Sequence, residues 1–590
     1  MKIDLSGRSL LVVVSLLVTG CLAGVKKDAG AAPAAKGDPR VLELDAMADE
    51  LGRSTARLKI ADNAPPYFVA YTMRDLQSAE LQARYGAIVV DNDRHDRSIY
   101  VEVRVGSHEL DNSGAKEVGF FGPPDRATYS ARLDAPLDGD LAALKGSLWL
   151  ATDQQYKRAL ADFLSKRGDQ VYEPEEERAP SFSKEAPSEA IDPPLAFSFD
   201  GKRWKAELKR ASQRFRSAPE IFDNLIRVSG SRQSRSMVTS EGTRLIQEEL
   251  LYGLHLSAVT RAEDGMLLRH ERSFYARGGE GLPAGKALDG EVDRLMEELL
   301  ALREAPVMDP YTGPALLEPD ATGVLFHEAI GHRLEGERQD DEDEGQTFQG
   351  QLGREVIPAF IDVYDDPTLQ RWEAQQLNGY YRYDDEGVPG QRASLVEAGV
   401  LRGYLTSRAP VKGADPKSNG HGRTQGHNDP IARMANLVVQ PVASAPAGRV
   451  VGRAALEEQL VAEAKRQGKP YALVVTDISG GDTNTSGYGY QAFRGRPTLL
   501  WRIDVATGKK ELVRGVELVG TPLTVINKIA AVSKESGVFN GFCGAESGYV
   551  PVSTVAPASL ITEVELQRQR KDAERSPVLS PPWAKETPAK

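Results

Sequence analysis

Two of the chain's eight histidines lie five residues apart, with a glutamate directly after the first. The stretch is Val324-Leu325-Phe326-His327-Glu328-Ala329-Ile330-Gly331-His332-Arg333-Leu334-Glu335-Gly336. Neutral imidazole is a ready metal ligand, and a carboxylate beside it can take a proton from a metal-polarised water. Leu325, Ile330 and Leu334 would give a helix its core face, with Asp320 as the N-cap. Ligands four apart on such a helix lie about 40° from each other and share one metal, whereas ligands five apart diverge by roughly 140°. A one-residue π-type bulge would bring the two rings back to one side, and such bulges occur often at functional sites. Gly331 would make that distortion cheap. The plainer reading is an ordinary amphipathic helix with two satisfied histidines.

A hydrolytic zinc site needs three protein ligands and a fourth position for water. Cys543, in Gly541-Phe542-Cys543-Gly544-Ala545, is a candidate, flanked by small residues that let backbone approach a ligand. Zinc would hold it as thiolate and acidify the water. Glu328 would then be the general base, passing the proton on to the leaving amine. Equally, Cys543 reads as a small buried hydrophobe, the usual fate of a free cysteine. His421, Arg423, His427 and Arg433 cluster in a Gly/Asn-rich loop and are candidates for binding a substrate carboxylate or an oxyanion. The loop's own turn hydrogen bonds would explain them as well. Asp340–Glu344 lacks the spacing and central glycine of a calcium loop and reads as solvated. Gly480-Gly481 reads as a turn, since no Gly-Lys-Ser/Thr follows.

Positioning these residues takes a large scaffold. The chain has 590 residues, 41% apolar and 27% charged, enough for two sizeable domains. Its net charge of −12 argues against nucleic-acid binding through a basic surface. Lys2 and Arg8 precede a short apolar run, Leu10 to Val18, which is too short to span a bilayer and reads as part of a signal peptide, residues 1–20. Val18-Thr19-Gly20-Cys21 resembles a bacterial lipobox. The expectation is an exported, cell-envelope lipoprotein, anchored to a membrane through lipid on Cys21. The alternative is a soluble form cut near Ala23. Residues 21–40 read as a flexible tether.

The fold class expected is α/β (α+β). A mixed N-terminal domain, 41–304, opens with helical spacing over Arg40–Leu58. Strand-like runs follow at Tyr67–Thr72 and Ile99–Val105, then a helix over Leu141–Arg167. An acidic, Pro/Ser-rich stretch near 173–194 reads as an exposed insertion. A β-rich C-terminal domain, 305–566, would embed the metal-binding helix, with strand-type runs at Leu473–Val475, Leu499–Ile503 and Leu523–Ile526. Residues 567–590 read as a disordered tail.

The His327–Gly336 stretch and the Gly541-Phe542-Cys543-Gly544 turn resemble the bacterial TldD/PmbA family of metalloproteases. So do the strings between them: Ser418-Asn419-Gly420-His421-Gly422-Arg423, Pro430-Ile431-Ala432-Arg433-Met434-Ala435-Asn436, Asp482-Thr483-Asn484-Thr485-Ser486-Gly487 and Gly515-Val516-Glu517-Leu518-Val519-Gly520. The resemblance is specific from about residue 305 to 565. It implies a zinc metallopeptidase with one zinc per chain, held by His327, His332 and Cys543, and Glu328 as the catalytic residue. It also implies a peptide or unfolded-protein substrate held as an added β-strand, and a homo- or hetero-dimer with a family paralogue. With all four positions present, the chain resembles the active subunit. It departs from the family in its N-terminus and its acidic segments at Glu173–Arg178 and Asp340–Glu344.

Two other readings compete. A peptidase resembling dipeptidyl peptidase III would take a downstream glutamate as third ligand, but here the string Glu175-Glu176-Glu177 precedes the motif. A lipid-anchored scaffold or peptide-binding lipoprotein without turnover would share the fold. Its ligands and base should then have eroded, and all four are intact.

Overall fold

A computed structural model describes residues 37–114, 132–169, 179–341, 344–426, 428–485, 492–569, 577 and 579–584. Cys21, the signal segment, Glu173–Arg178 and His427 lie outside them. The architecture is mixed α+β, built on a seven-stranded and a twelve-stranded sheet.

Helix α1 (Pro39–Arg57) starts where the Asp38 side chain accepts the Arg40 N–H and proline takes the first turn. It buries Leu44, Met47 and Leu51. The long hairpin β1 (Pro66–Arg84) and β2 (Ala87–Val105) turns at Tyr85-Gly86, both with positive φ (48° and 87°). Two left-handed residues give the turn twist that matches paired strands. On its other side β1 pairs antiparallel with β3 (Ile221–Thr239), which pairs with β4 (Arg244–Arg261). The strand β5 (Leu267–Ala276) pairs along the outer edge of β4.

Alternation along the strands assigns the faces. Val69, Tyr71 and Met73 pack with α1 and with α2 (Leu141–Asp169). Leu81, Ile226, Val228, Leu254 and Leu256 pack with α3 (Gly201–Gln213) and α4 (Lys286–Glu304). The intervening positions Arg227, Ser229, Ser231 and Gly253 face a cavity on the opposite side.

Two segments are more ordered than their composition suggests. Within 179–194, Phe182 is buried between the guanidiniums of Arg104 and Arg408, at 3.7 and 3.8 Å from its ring. Glu189–Ile191 pairs in parallel with the start of β4. Cation–π contact and ladder bonds here override the Pro/Ser-rich pattern. In the C-terminal tail, the Trp583 ring lies 4.6 Å from Tyr85.

The larger sheet holds β6 (Tyr311–Leu317), β7 (Ile361–Asp365), β8 (Asn436–Pro441), β9 (Tyr471–Thr483), β10 (Phe493–Asp504), β11 (Ile529–Ala545) and β12 (Gly548–Arg568). The pairings β6–β9–β10, then Val516–Gly520, then β12 and back to β6, close a ring. Helix α5 (Pro319–Phe326) packs against β12, β9 and β11, with residues 321–326 all buried. Two local expectations are corrected. Leu523–Ile526 belongs to a short helix, Pro522–Ile526, because Pro522 at its first position pre-sets the helical φ. Gly480-Gly481 lies within β9, where the pairing with β10 is irregular, and forms no turn. Among the described residues no helix is long and apolar enough to cross a membrane.

Candidate metal centre

Helix α5 begins at Pro319 with Glu318 at the N-cap position, so Asp320 sits in the first turn and caps nothing. At His327–Gly331 the helix widens into a π turn, in which the His332 N–H donates to the His327 carbonyl five residues back. The next turn, His332–Leu334, tightens to a 3₁₀ turn. This is the distortion the five-residue spacing requires, and it turns both imidazoles to one side. Their ring centroids lie 5.0 Å apart at 88°. Gly331 is needed for a reason other than backbone freedom. Its φ is an ordinary −54°, but a Cβ there would stand 2.0 Å from Met434 Sδ.

Cys543 completes the cluster from β11. Its Sγ is 3.1 Å from His327 Nε2 and 3.3 Å from His332 Nε2. The donor atoms of the three residues lie within 4.8 Å of one another, and all three side chains are buried. Tetrahedral zinc bonds of about 2.0–2.3 Å imply donor–donor separations of about 3.3–3.8 Å, so this set fits the ion. The flanking glycines make room for aromatic rings, and Gly541 also lines the large cavity. A Cβ on Gly541 would meet Phe539 at 3.0 Å, and one on Gly544 would meet Tyr549 at 2.7 Å.

The electrostatics suit a metal thiolate. Burial opposes ionisation of Cys543, but the two imidazoles outweigh it and hold the thiol well below its usual value. Burial likewise opposes protonation of His327 and His332, yet Cys543 raises both, and Glu335 adds to the effect on His332. Behind His332, Glu335 Oε1 lies 3.1 Å from Nδ1, and Arg338 Nε donates to Glu335 Oε2 at 2.7 Å. Burial would raise the Glu335 carboxyl, but His332 and Arg338 bring it down to about 2. Such an outer carboxylate fixes the tautomer and orientation of a ligating imidazole. Glu335→Gln is therefore expected to weaken zinc affinity by about 10–100-fold, read by competition with a zinc chelator. An unchanged affinity would remove Glu335 from the site.

Glu328, 8% exposed, shares with His327 the wall of a cavity of about 1240 Å³ between the two sheets. Burial lifts its carboxyl above the ordinary value, partly countered by His327 and His332. Arg333 pins the bulge to β9, donating to the Glu328 carbonyl at 2.7 Å and to Thr483 Oγ1 at 2.8 Å. The sequence reading missed Gly481. A Cβ there would lie 2.7 Å from Glu328 Cγ, 3.0 Å from Val324 Cγ1 and 3.1 Å from the Arg494 carbonyl. The paired glycines were the available signal, but only tertiary packing reveals what they make room for. Gly481→Ala should displace the Glu328 side chain and lower peptide cleavage by about 10²-fold with zinc content unchanged. Full activity in that variant would exclude the packing role.

The loop candidates fall in different places. His421 is fully buried, with Nε2 3.2 Å from Asp365 Oδ1 and Nδ1 2.8 Å from Asn419 Oδ1, and it lines neither cavity described here. Arg433 lies behind Cys543, donating to its carbonyl at 2.8 Å and to Ser547 Oγ at 2.8 Å. Its Nε is 3.4 Å from Glu335 Oε1, so it links two parts of the site. Arg423 donates to the Met434 carbonyl at 2.6 Å and lines a second cavity.

Residues 310–568 match the family model described as PmbA/TldA metallopeptidase C-terminal domain. A metalloprotease of Archaeoglobus fulgidus is 30% identical over 321 residues, covering 54% of this chain and 67% of that protein. The chain belongs to the TldD/PmbA family. A metalloprotease of Methanocaldococcus jannaschii is 29% identical over 321 residues, and the match spans 54% of this chain and 64% of that protein. A zinc metalloprotease TldD homolog of Saccharolobus solfataricus is 27% identical over 249 residues, 41% of this chain and 49% of its own length. The crystal structure of TldE from Thermococcus kodakarensis superposes with a TM-score of 0.57, covering 88% of this chain and all of that one. At 14% identity that likeness speaks to the fold.

Proposed function

We propose that the chain is a zinc-dependent peptidase of the His-Glu-x-x-x-His type, hydrolysing unstructured peptides or unfolded protein segments. The observation that carries this reading is the convergence of His327, His332 and Cys543 within 4.8 Å, with Glu328 beside them on the wall of one large cavity. His327, His332 and Cys543 would hold one zinc per chain, and bound zinc would supply the Lewis acidity that lowers the pKa of a water. Glu328 accepts that water's proton at a carboxylate oxygen and delivers it to the leaving amine. Its partial burial keeps the base close to the reacting groups and away from bulk solvent. Glu335 and Arg433 hold His332 and the Cys543 strand in place. The names of the relatives support the peptidase chemistry.

We extend the proposal to an exported lipoprotein anchored through Cys21 and to a dimer with itself or a family paralogue. The lipobox-like residues and the family membership support these two points.

The test is cleavage of an intrinsically unstructured polypeptide by the purified chain. Activity should vanish on treatment with a zinc chelator and return on addition of zinc. Cleavage that persists after complete metal removal would contradict the proposal.

A further inference from the structure

A second cavity, of about 670 Å³, continues the one lined by His327 and Glu328, and Ser231, Leu251 and Phe542 line both. Along β3 the lining passes from Ser229 and Ser231 in the first to Gln233 and Arg235 in the second. At about 3.3 Å per residue, Arg235 stands roughly 13 Å beyond Ser231. An extended chain lying beside His327 and Glu328 would enter the second chamber on passing Phe542. That ring is half-exposed and edge-on to Tyr275 at 5.9 Å.

Six arginines line this chamber; Arg94 and Arg382 are paired with Asp96 and Asp192, while Arg74, Arg235, Arg277 and Arg423 have two carboxylates, Asp385 and Glu249, among the four of them. Arg74 and Arg235 share one carboxylate, Asp385, with Arg74 Nη2 at 2.9 Å from Oδ1, and Arg235 Nη2 also donates to the carbonyls of Tyr383 (3.0 Å) and Asp384 (2.6 Å). Arg74 Nε is buried without a hydrogen-bond partner. Arg277 reaches Glu249 only at 3.4 Å, and otherwise the carbonyls of Asn378 (3.4 Å) and Tyr380 (3.1 Å). Arg423 has the Met434 carbonyl and the face of Tyr381, 4.9 Å away. The other acids of the chamber are already engaged, two of them by its own Arg94 and Arg382. Asp192 pairs with Arg382, Glu248 with Arg40 and Arg232, and Asp96 with Arg94, while Asp384 accepts backbone N–H groups of Glu386, Val388 and Gly422. A planar carboxylate offers the acceptors that such a cluster lacks.

We propose that the Arg74–Arg235–Arg277–Arg423 chamber binds a carboxylate of the peptide, giving preference to substrates with Asp, Glu or a free C-terminus on the Phe542 side of the metal cluster. The identity of the ligand as a peptide rests on the function proposed above, but its binding does not require turnover.

The experiment uses the full chain carrying Glu328→Gln, so that bound peptides stay intact, and fluorescence anisotropy with labelled unstructured peptides. One arm walks a single Glu through a neutral, C-terminally amidated peptide, each position compared with Gln. The other arm compares free acid with amide at the C-terminus. The expected result is about tenfold tighter binding for Glu at one or two adjacent positions, or for the free acid, with the advantage shrinking as salt rises. Adding Arg277→Gln or, as an independent variant, Arg423→Gln should bring the acidic-to-neutral ratio close to one. Equal binding of acidic and neutral peptides would overturn the proposal and leave the peptidase reading standing. An acidic preference that survives both substitutions would also overturn it. Failure of every peptide to bind would overturn the peptide reading and this proposal together.

Discussion

Glu328→Gln is expected to leave the chain folded and its zinc bound while lowering kcat by about 10²–10⁴-fold. The glutamine has nearly the volume of the glutamate and cannot accept the proton. The carboxyl sits on the cavity wall, and its neighbours at close range are His327, His332 and Gly481, not a salt-bridge partner whose loss would unfold the site. Removal of a base that acts only during the chemical step should reduce kcat and kcat/KM together. Parallel zinc quantification separates this from loss of metal. Wild-type cleavage in a variant with full zinc content would show that another group takes the proton.

Cys543→Ser should have the largest effect on the metal itself. Sγ is the one donor within 3.3 Å of both imidazole nitrogens, so its replacement by a harder, more basic and shorter hydroxyl removes the centre of the cluster. The zinc dissociation constant should rise by more than about 10²-fold. Wild-type thermal stability should increase with added zinc, because an ion bound only by the folded chain stabilises it by about 2.7 kcal/mol at a hundredfold excess over Kd. In the variant that dependence should flatten. Zinc content and a zinc-dependent Tm equal to wild type would send the third ligand elsewhere.

The sequence made some of this site legible and concealed the rest. His327, Glu328 and His332 are visible because they are local, and helical geometry alone shows that a five-residue spacing needs a π turn. Cys543 lies 216 residues from His327, and no periodicity links them. On residues alone it was as plausible a core hydrophobe as a ligand. The role of Glu335 is hidden because it depends on contacts made by the fold, and Arg433, a candidate for binding substrate by its sequence, instead supports the Cys543 strand and Glu335. His421 attracted attention as a polar residue in a polar loop, yet Asp365 on β7 supplies it with a buried partner. The α1 and α2 helices follow from their spacing, whereas 179–194 misled because one buried aromatic, Phe182, outweighs a run of prolines and serines. The extent of β1 was also hidden, since its later half is only partly buried and carries polar residues.

The central claim is that one zinc is held by two imidazoles and one thiolate. X-ray absorption at the zinc edge of the purified full chain tests it most directly. The expected spectrum has one sulfur at about 2.3 Å and nitrogen or oxygen neighbours at about 2.0–2.1 Å, at one zinc per chain, with the sulfur absent from any zinc bound by Cys543→Ser. Zinc surrounded only by nitrogen and oxygen in the wild-type chain, or no zinc retained by folded protein, would contradict it.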